Sequence, residues 1–273
     1  MNTTANPAKD AKSAKNSHAL VIVDPQNDFC DPQGSLFLKG AEDDMLRLAE
    51  YIERDPCAIS QIYLSLDSHD RVAVFHPLFW VDEAGNLPAP FTQISHEDFV
   101  SSKWKVSSEA NHPYVSKTLA LMDARGIGSV MIWPEHCVVS TWGHQIVAPL
   151  QKALAVWQDA TNVAVRYVFK GENPYTDQYS IFEGVDSSYM ETAFNQTLFD
   201  RLSGFERITF AGEALTHCVM ESVLSYTRRL GTFKQELHLL TNCTSPVGGF
   251  SASDALDTLS DAGVQMSVST DPA

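Results

Sequence analysis

Short apolar segments that alternate with helical patterns are the feature that most constrains the fold of this chain. The run HALVIVD at 18–24 is almost wholly apolar, as expected of a strand that is buried on both faces. The run FERITFA at 205–211 alternates and carries β-branched side chains. The remaining strand-like segments are 58–66, 128–133, 163–169, 237–241 and a closing edge strand at 264–268.

Helical patterns fill the intervals between these strands. The clearest has Met45, Leu48 and Ile52 on one side. Helices are predicted at 41–54, 113–125, 145–160, 190–202 and 250–262, with a further one after Cys218. About six strands that alternate with helices predict an α/β fold, in which a doubly wound, mostly parallel six-stranded sheet carries helices on both faces, as in three-layer Rossmann-like proteins.

The interval 70–110 differs from the rest of the chain. It has little periodicity and many aromatic residues and prolines. Because a loop of this length in a compact protein normally covers something or has a function, we predict a lid-like excursion. A surface wrap or an oligomer contact is an equally weighted alternative.

Composition limits the number of domains and the kinds of partner. The chain has 273 residues, of which 44% are hydrophobic, enough for one large core. Without internal repeats, a single domain at 18–273 is the simplest division. The 19 basic residues against 34 acidic ones give a net charge of −15, which argues against nucleic acids and anionic membranes as partners.

The N-terminal residues and the cysteines bear on the compartment. Residues 1–17 are polar and rich in Lys and Ala, without the apolar run of a signal peptide, and are predicted to be a disordered tail. The five cysteines contain no CxxC pair, which indicates a reducing cytoplasm. No apolar run approaches the ~18 residues of a transmembrane helix.

Polar residues with catalytic or ligating side chains follow the predicted strands. Because the carboxyl ends of parallel strands open on one edge of a sheet, we expect these side chains to gather there. They are Asp24, Asp67, His69, His136, Lys170 and Cys218.

Cys218 lies where the strand pattern at 205–211 gives way to a helix. Unpaired amides and the helix dipole at such a turn favour a thiolate over a thiol, and the same amides can stabilise an oxyanion. The alternative is a buried structural cysteine. Asp24 as a base and Lys170 as a cation favour the catalytic interpretation.

Asp67, His69 and His136 have the side chains of a metal site. A carboxylate and an imidazole separated by one residue can bind one ion, with a further ligand from another strand end. The alternative is a pair of solvated loop residues. Trp133, which leaves its strand next to a proline, suits a ring-shaped substrate, with a core aromatic as the alternative.

The motifs together resemble the isochorismatase-like cysteine hydrolases and, within them, the nicotinamidases. The resemblance covers nearly all of 18–268. It depends on VDPQNDFC at 23–30, DSH at 67–69, WPEHCV at 133–138, KG at 170–171 and GEALTHCV at 212–219.

This resemblance implies a role for each matching residue. Cys218 would be the nucleophile, Asp24 the base and acid, and Lys170 the third catalytic residue. The backbone amides of Ala214 and Cys218 would form the oxyanion hole, beside a cis peptide bond between Glu213 and Ala214. The implied metal ligands are Asp67, His69 and His136, and the implied ring-binding residues are Phe29 and Trp133.

The resemblance also implies an activity. The chain would be a metal-containing cysteine amidohydrolase that converts nicotinamide and water to nicotinate and ammonia through a thioester. The alternatives are a hydrolase of the same fold that acts on another small amide and a non-catalytic protein that binds a metabolite.

One divalent transition metal is expected, with zinc favoured over iron or manganese. The oligomeric state and a role for His76 as a further ligand are left open.

Overall fold

The computed structural model describes residues 17–231 and 235–273, so the predicted tail at 1–17 lies outside the described residues except for Ser17. The strands in the described part are β1 His18–Val23, β2 Gln61–Asp67, β3 Trp80–Val81, β4 Gln93–Ser95, β5 Lys105–Val106, β6 Ser129–Met131, β7 Arg166–Lys170, β8 Arg207–Gly212, β9 Glu236–Leu240 and β10 Gln265–Ser267. The helices are α1 Asn27–Cys30, α2 Ala41–Arg54, α3 His96–Val100, α4 His112–Ala124, α5 Ala148–Thr161, α6 Gln196–Leu202, α7 Met220–Thr227 and α8 Ala252–Asp261.

Six of these strands form one parallel sheet in the order β10-β9-β8-β1-β2-β7. This sheet confirms the predicted fold class. The chain proceeds from β1 toward β7 on one side and from β8 toward β10 on the other, so the order reverses at β1. In such sheets a crevice opens at the carboxyl ends of the strands beside the reversal.

Side chains of β1 alternate between two hydrophobic clusters, one on each face of the sheet. Leu20 and Ile22 pack with side chains of α2, α4 and α5. Ala19 and Val21 pack with side chains of α6, α7 and α8. Both faces are buried, which explains why this strand is an unbroken apolar run in the sequence. No helix in the described ranges is long and apolar enough to span a membrane.

The strand at 128–133 does not join this sheet, contrary to the prediction that His136 would leave one of its strand ends. Its observed core, β6, pairs antiparallel with β4 from the excursion. His136 reaches the sheet edge by another route, a short parallel bridge between His69 and Val138. The amide of His69 donates to Cys137 O at 3.0 Å, and the amide of Val139 donates to His69 O at 3.0 Å.

The excursion at 70–110 is packed against the core along much of its length. Phe75, Phe79, Trp80 and Ile94 are buried in the same cluster as α2 and α5. Strands β3 and β5 pair antiparallel, and α3 begins with a capping box. A lid movement of this segment stays a prediction.

Candidate active site and metal centre

Lys170 lies at the centre of the predicted catalytic group. It ends β7, next to Asp67 of β2 in the strand register, and its side chain is completely buried. Its Nζ is 2.9 Å from Asp24 Oδ2, 3.0 Å from Asp67 Oδ1 and 3.4 Å from Cys218 Sγ. The structure therefore brings the three predicted catalytic side chains together around one ammonium group.

Asp24 is held by hydrogen bonds from the neighbouring strand β2. The hydroxyl of Ser65 donates to Asp24 Oδ1 at 2.6 Å, and the amide of Asp24 donates to Ser65 Oγ at 3.1 Å. Burial raises the pKa of the Asp24 carboxyl, and the nearby Lys170 opposes that shift. Burial alone would lower the pKa of Lys170, but Asp24 and Asp67 raise it well above its usual value. Lys170 therefore stays charged.

Cys218 lies in a π-helical turn at Leu215–Val219, just before α7. Burial raises the pKa of its thiol well above the usual value, against the lowering effect of Lys170. The turn and Lys170 were predicted to favour a thiolate, but burial and the carboxylates of Asp24 and Asp67 outweigh the cation. A thiol at rest needs a base during the reaction. Just before this turn, the peptide bond between Glu213 and Ala214 is cis.

Asp67, His69 and His136 are buried, and their ligating atoms all lie within 4.8 Å of one another. Asp67 Oδ2 is 2.9 Å from His69 Nε2 and 3.8 Å from His136 Nε2. The Nδ1 atoms lie against carbonyl oxygens, at 3.0 Å from Gly171 O and 2.8 Å from Pro134 O respectively. Since a carbonyl only accepts, Nδ1 carries a proton on each ring, and the Nε2 atoms are the ones directed at Asp67.

The charge states of this set also fit a divalent metal ion. Burial lowers the pKa of His136 to about 3, so its imidazole is neutral and free to ligate. For Asp67, burial acts to raise the pKa, but His69 and Lys170 hold it well below its usual range. Two imidazoles and one carboxylate, oriented by carbonyl groups behind the rings, fit a transition metal with open positions.

His76 supports the metal set from behind. Its Nδ1 lies 3.1 Å from Asp70 O, and its Nε2 lies 3.4 Å from the amide of His136. The protonated Nδ1 therefore donates to Asp70, and Nε2 accepts from the backbone that carries His136. His136 Nδ1 also lies 3.3 Å from this Nε2, so the Nε2 lone pair of His76 is directed at His136.

Phe29 and Trp133, the predicted ring-binding residues, line one cavity together with Cys218 and the three predicted metal ligands. Among the other residues that line this cavity, Asp177, Gln178, Tyr179 and His217 have polar side chains that the sequence did not single out. The ring of His217 lies 5.3 Å from Trp133 and 5.4 Å from Tyr179. The position of His217 directly before Cys218 is the one sequence signal that could have placed it at the site. Asp177 and Tyr179 lie between β7 and α6, in a segment without a periodic pattern.

Comparison with known proteins gives this geometry a context. No protein-family model matches the chain. A nicotinamidase of Saccharomyces cerevisiae is 24% identical over 210 residues, which are 76% of this chain and 79% of the yeast protein. The solved structure of yeast nicotinamidase aligns with a TM-score of 0.65 at 18% identity, over 93% of this chain and 100% of that one. The chain has the nicotinamidase fold.

Two further solved structures share this fold. The pyrazinamidase of Pyrococcus horikoshii in complex with zinc aligns with a TM-score of 0.57 at 19% identity, over 92% of this chain and 99% of that one. An isochorismatase family protein of Desulfovibrio vulgaris aligns with a TM-score of 0.55 at 14% identity, over 93% and 95% of the two chains. The predicted resemblance to isochorismatase-like hydrolases and their nicotinamidase branch is confirmed.

Gly171 offers a test of the metal centre in which none of the three predicted ligand residues is substituted. It has φ of +74°, and an added Cβ would lie against the His69 ring and 2.6 Å from Asp67 Oδ1. The added methyl group would push His69 and Asp67 out of position. We therefore expect Gly171→Ala to weaken zinc binding by about 10- to 100-fold, the range typical of changes to groups that orient metal ligands. Zinc titration and elemental analysis measure this. Gly248→Ala is the control, because nothing lies within 4 Å of its added Cβ. Equal zinc affinity in the two variants would contradict the predicted site.

Proposed function

We propose that this chain is a metal-dependent cysteine amidohydrolase that hydrolyses nicotinamide to nicotinate and ammonia. The observation that carries the proposal is the position of Lys170 Nζ, within 3.4 Å of Asp24, Asp67 and Cys218, at the edge of a set of two histidines and a carboxylate. The sequence and fold similarity to nicotinamidases supports the choice of substrate.

In the first half of the reaction, Asp24 takes the proton of the Cys218 thiol as the sulfur attacks the carboxamide carbon. The carbonyl oxygen becomes an oxyanion, which the backbone amides of Ala214 and Cys218 stabilise. Asp24 then gives its proton to the departing nitrogen. Ammonia leaves, and a thioester to Cys218 remains.

In the second half, Asp24 accepts a proton from water as the water oxygen attacks the thioester carbon. The carbon–sulfur bond breaks, nicotinate is released and the proton returns to Cys218. Lys170 stays protonated throughout, since the carboxylates of Asp24 and Asp67 raise its pKa. Its charge stabilises the thiolate while that thiolate exists.

Asp67, His69 and His136 would hold the metal ion. The bound ion would supply an open coordination position for the pyridine nitrogen. Phe29 and Trp133 would hold the two faces of the ring, so that the carboxamide points toward Cys218. Zinc is favoured by the donor set and by the zinc complex of the Pyrococcus horikoshii protein, with iron and manganese as alternatives. A small-molecule substrate and a cytoplasmic site of action complete the proposal.

The proposal is tested by ammonia release from nicotinamide and from benzamide, before and after the metal is removed. Benzamide has the same carboxamide but no ring nitrogen. We expect metal removal to lower kcat/KM for nicotinamide by about 10-fold or more and to change benzamide turnover much less. Equal losses on both amides would contradict the role given to the metal. A protein that releases ammonia only from unrelated amides would be a cysteine hydrolase with another substrate.

A further inference from the structure

Glu213 is a buried carboxyl group for which the proposed mechanism has no use. It is fully buried, and it contributes one half of the cis peptide bond whose other half is Ala214. Its amide donates at 2.7 Å to the carbonyl oxygen of Val23. Val23 is the last residue of β1 and directly precedes Asp24. A glutamate at this position lies between the nucleophile turn and the catalytic acid, where a charge would affect both.

The surroundings of Glu213 include a second buried carboxyl group, that of Asp44. Glu213 Oε2 accepts a hydrogen bond of 2.9 Å from the amide of Ser245. Asp44 Oδ2 accepts from the Ser245 hydroxyl, and Asp44 Oδ1 forms an ion pair of 2.7 Å with Arg47. Asp44 therefore has a cation and a hydroxyl donor, whereas Glu213 has one neutral amide. The other oxygen of Glu213, Oε1, is buried and has no hydrogen-bond partner among the described residues.

A buried carboxylate with no donor for one of its oxygens is costly, which favours the protonated form of that carboxyl group. Burial, followed by the charge of Asp44, raises the pKa of Glu213 well above its usual value. Because Asp44 has Arg47 as a partner, the proton lies on Glu213. A neutral acid is also compatible with the mechanism, since an anion here would repel the oxyanion that forms nearby.

The Glu213 side chain belongs to a set of bonds between the nucleophile turn and the segment 243–247. The amide of Gly212 donates to Cys243 O at 2.9 Å, and the amide of Leu215 donates to Ser245 O at 2.9 Å. With the bond from Ser245 N to Glu213 Oε2, these contacts hold both sides of the cis peptide. The carbonyl of Ser245 thus accepts from the residue after Ala214, and the amide of Ser245 donates to the side chain of the residue before it.

We propose that Glu213, as a neutral acid that accepts a hydrogen bond from the Ser245 amide, is a positioning residue that fixes the orientation of the Ala214 amide in the oxyanion hole. This inference rests on the proposed function, because it needs an oxyanion to stabilise. Glu213 does not touch the substrate. It acts through the peptide plane that it shares with Ala214.

The test compares Glu213→Gln with Glu213→Leu. Glutamine is neutral, keeps an oxygen for the Ser245 amide and has an NH₂ group in place of the acid O–H. Leucine has a similar size but neither function. We expect the glutamine variant to keep kcat for nicotinamide within about threefold. The leucine variant should lose about 10- to 100-fold in kcat, approaching the loss of one oxyanion donor, with KM changed by less than about threefold.

A second measurement separates positioning from general loss of structure. Pyridine-3-carbaldehyde should form a hemithioacetal, in which the sulfur of Cys218 bonds to the aldehyde carbon and the thiol proton balances the charge on the former carbonyl oxygen. That oxygen occupies the oxyanion hole. The affinity of the leucine variant for the aldehyde should therefore fall by the same factor as its kcat. Its affinity for nicotinate should stay at the parent value.

Each outcome decides the inference. Parent-like kcat in the leucine variant, or an equal loss in the glutamine and leucine variants, would overturn it. Equal weakening of aldehyde and nicotinate would show a structural role only and would also overturn it. If leucine prevents folding, Glu213→Ala replaces it in the comparison. A parent protein that releases no ammonia from any amide would overturn the proposed function and this inference together, whereas an active parent with a fully active leucine variant would overturn this inference alone.

Discussion

Replacement of Cys218 by alanine should reduce ammonia release from nicotinamide by about 10⁴-fold or more. In the proposed mechanism the Cys218 sulfur bonds to the substrate carbon, and no other described cysteine lines the cavity. Lys170 and Asp24 would keep their ion pair of 2.9 Å in the variant, so the remainder of the site stays assembled. A coupled assay for ammonia under saturating nicotinamide measures the loss.

Cys57→Ala is the matched control, because Cys57 is an exposed free cysteine. It should keep parent activity, and both variants should melt within a few degrees of the parent. Mass spectrometry after a rapid acid quench should detect an acyl group on the parent and none on Cys218→Ala. Residual turnover above about 1% of the parent in a clean Cys218→Ala preparation would exclude nucleophilic catalysis by this residue.

The strands and helices that the sequence predicted most accurately have a strong local pattern. Helix α2 has the predicted bounds, because its apolar side and its first acidic turn are both local signals. Strand β1 was identifiable because burial on both faces leaves an unbroken apolar run. The predicted helix at 190–202 begins later, at Gln196, where the Asn195 side chain caps the amide of Leu198.

Pairing between distant segments was beyond the reach of local pattern. Strand β6 looked like another sheet strand, but β4 from the excursion pairs with it instead. The sequence therefore predicted that His136 would reach the metal set, but gave the wrong route. Periodicity states that a segment is extended and does not state which segment lies beside it.

The electrostatics of the buried site were the second feature that the sequence did not predict. The turn at Cys218 suggested a thiolate, because dipole and amide effects are visible in the local sequence. Burial and the carboxylates that the fold brings near the sulfur are not visible there, and they raise the pKa of the thiol. The effect of Asp44 on Glu213 was missed for the same reason, because the two residues lie 169 positions apart in the sequence.

Asp24→Asn should lower kcat for nicotinamide by about 10³-fold while leaving the Cys218 thiol as reactive as in the parent or more so. The negative charge of Asp24 is one of the causes that raise the thiol pKa, whereas Lys170 lowers it. Without Asp24, the thiol pKa falls, and iodoacetamide labelling of Cys218 should shift to lower pH. Lys170 remains charged because Asp67 Oδ1 lies 3.0 Å away. Burial still raises the pKa of the thiol in this variant, but by less than burial and Asp24 raise it together in the parent.

Turnover would still fail, because an amide can neither protonate the departing ammonia nor accept a proton from water. Asp24→Asn therefore separates two tasks that a simple activity assay combines, namely ionising the thiol and moving protons to and from the substrate. Asp43→Asn on the exposed start of α2 is the control and should match the parent in both measurements. Labelling that shifts to higher pH would mean that Asp24 serves mainly to ionise the thiol. Turnover within about tenfold of the parent would remove Asp24 from the proton transfers altogether.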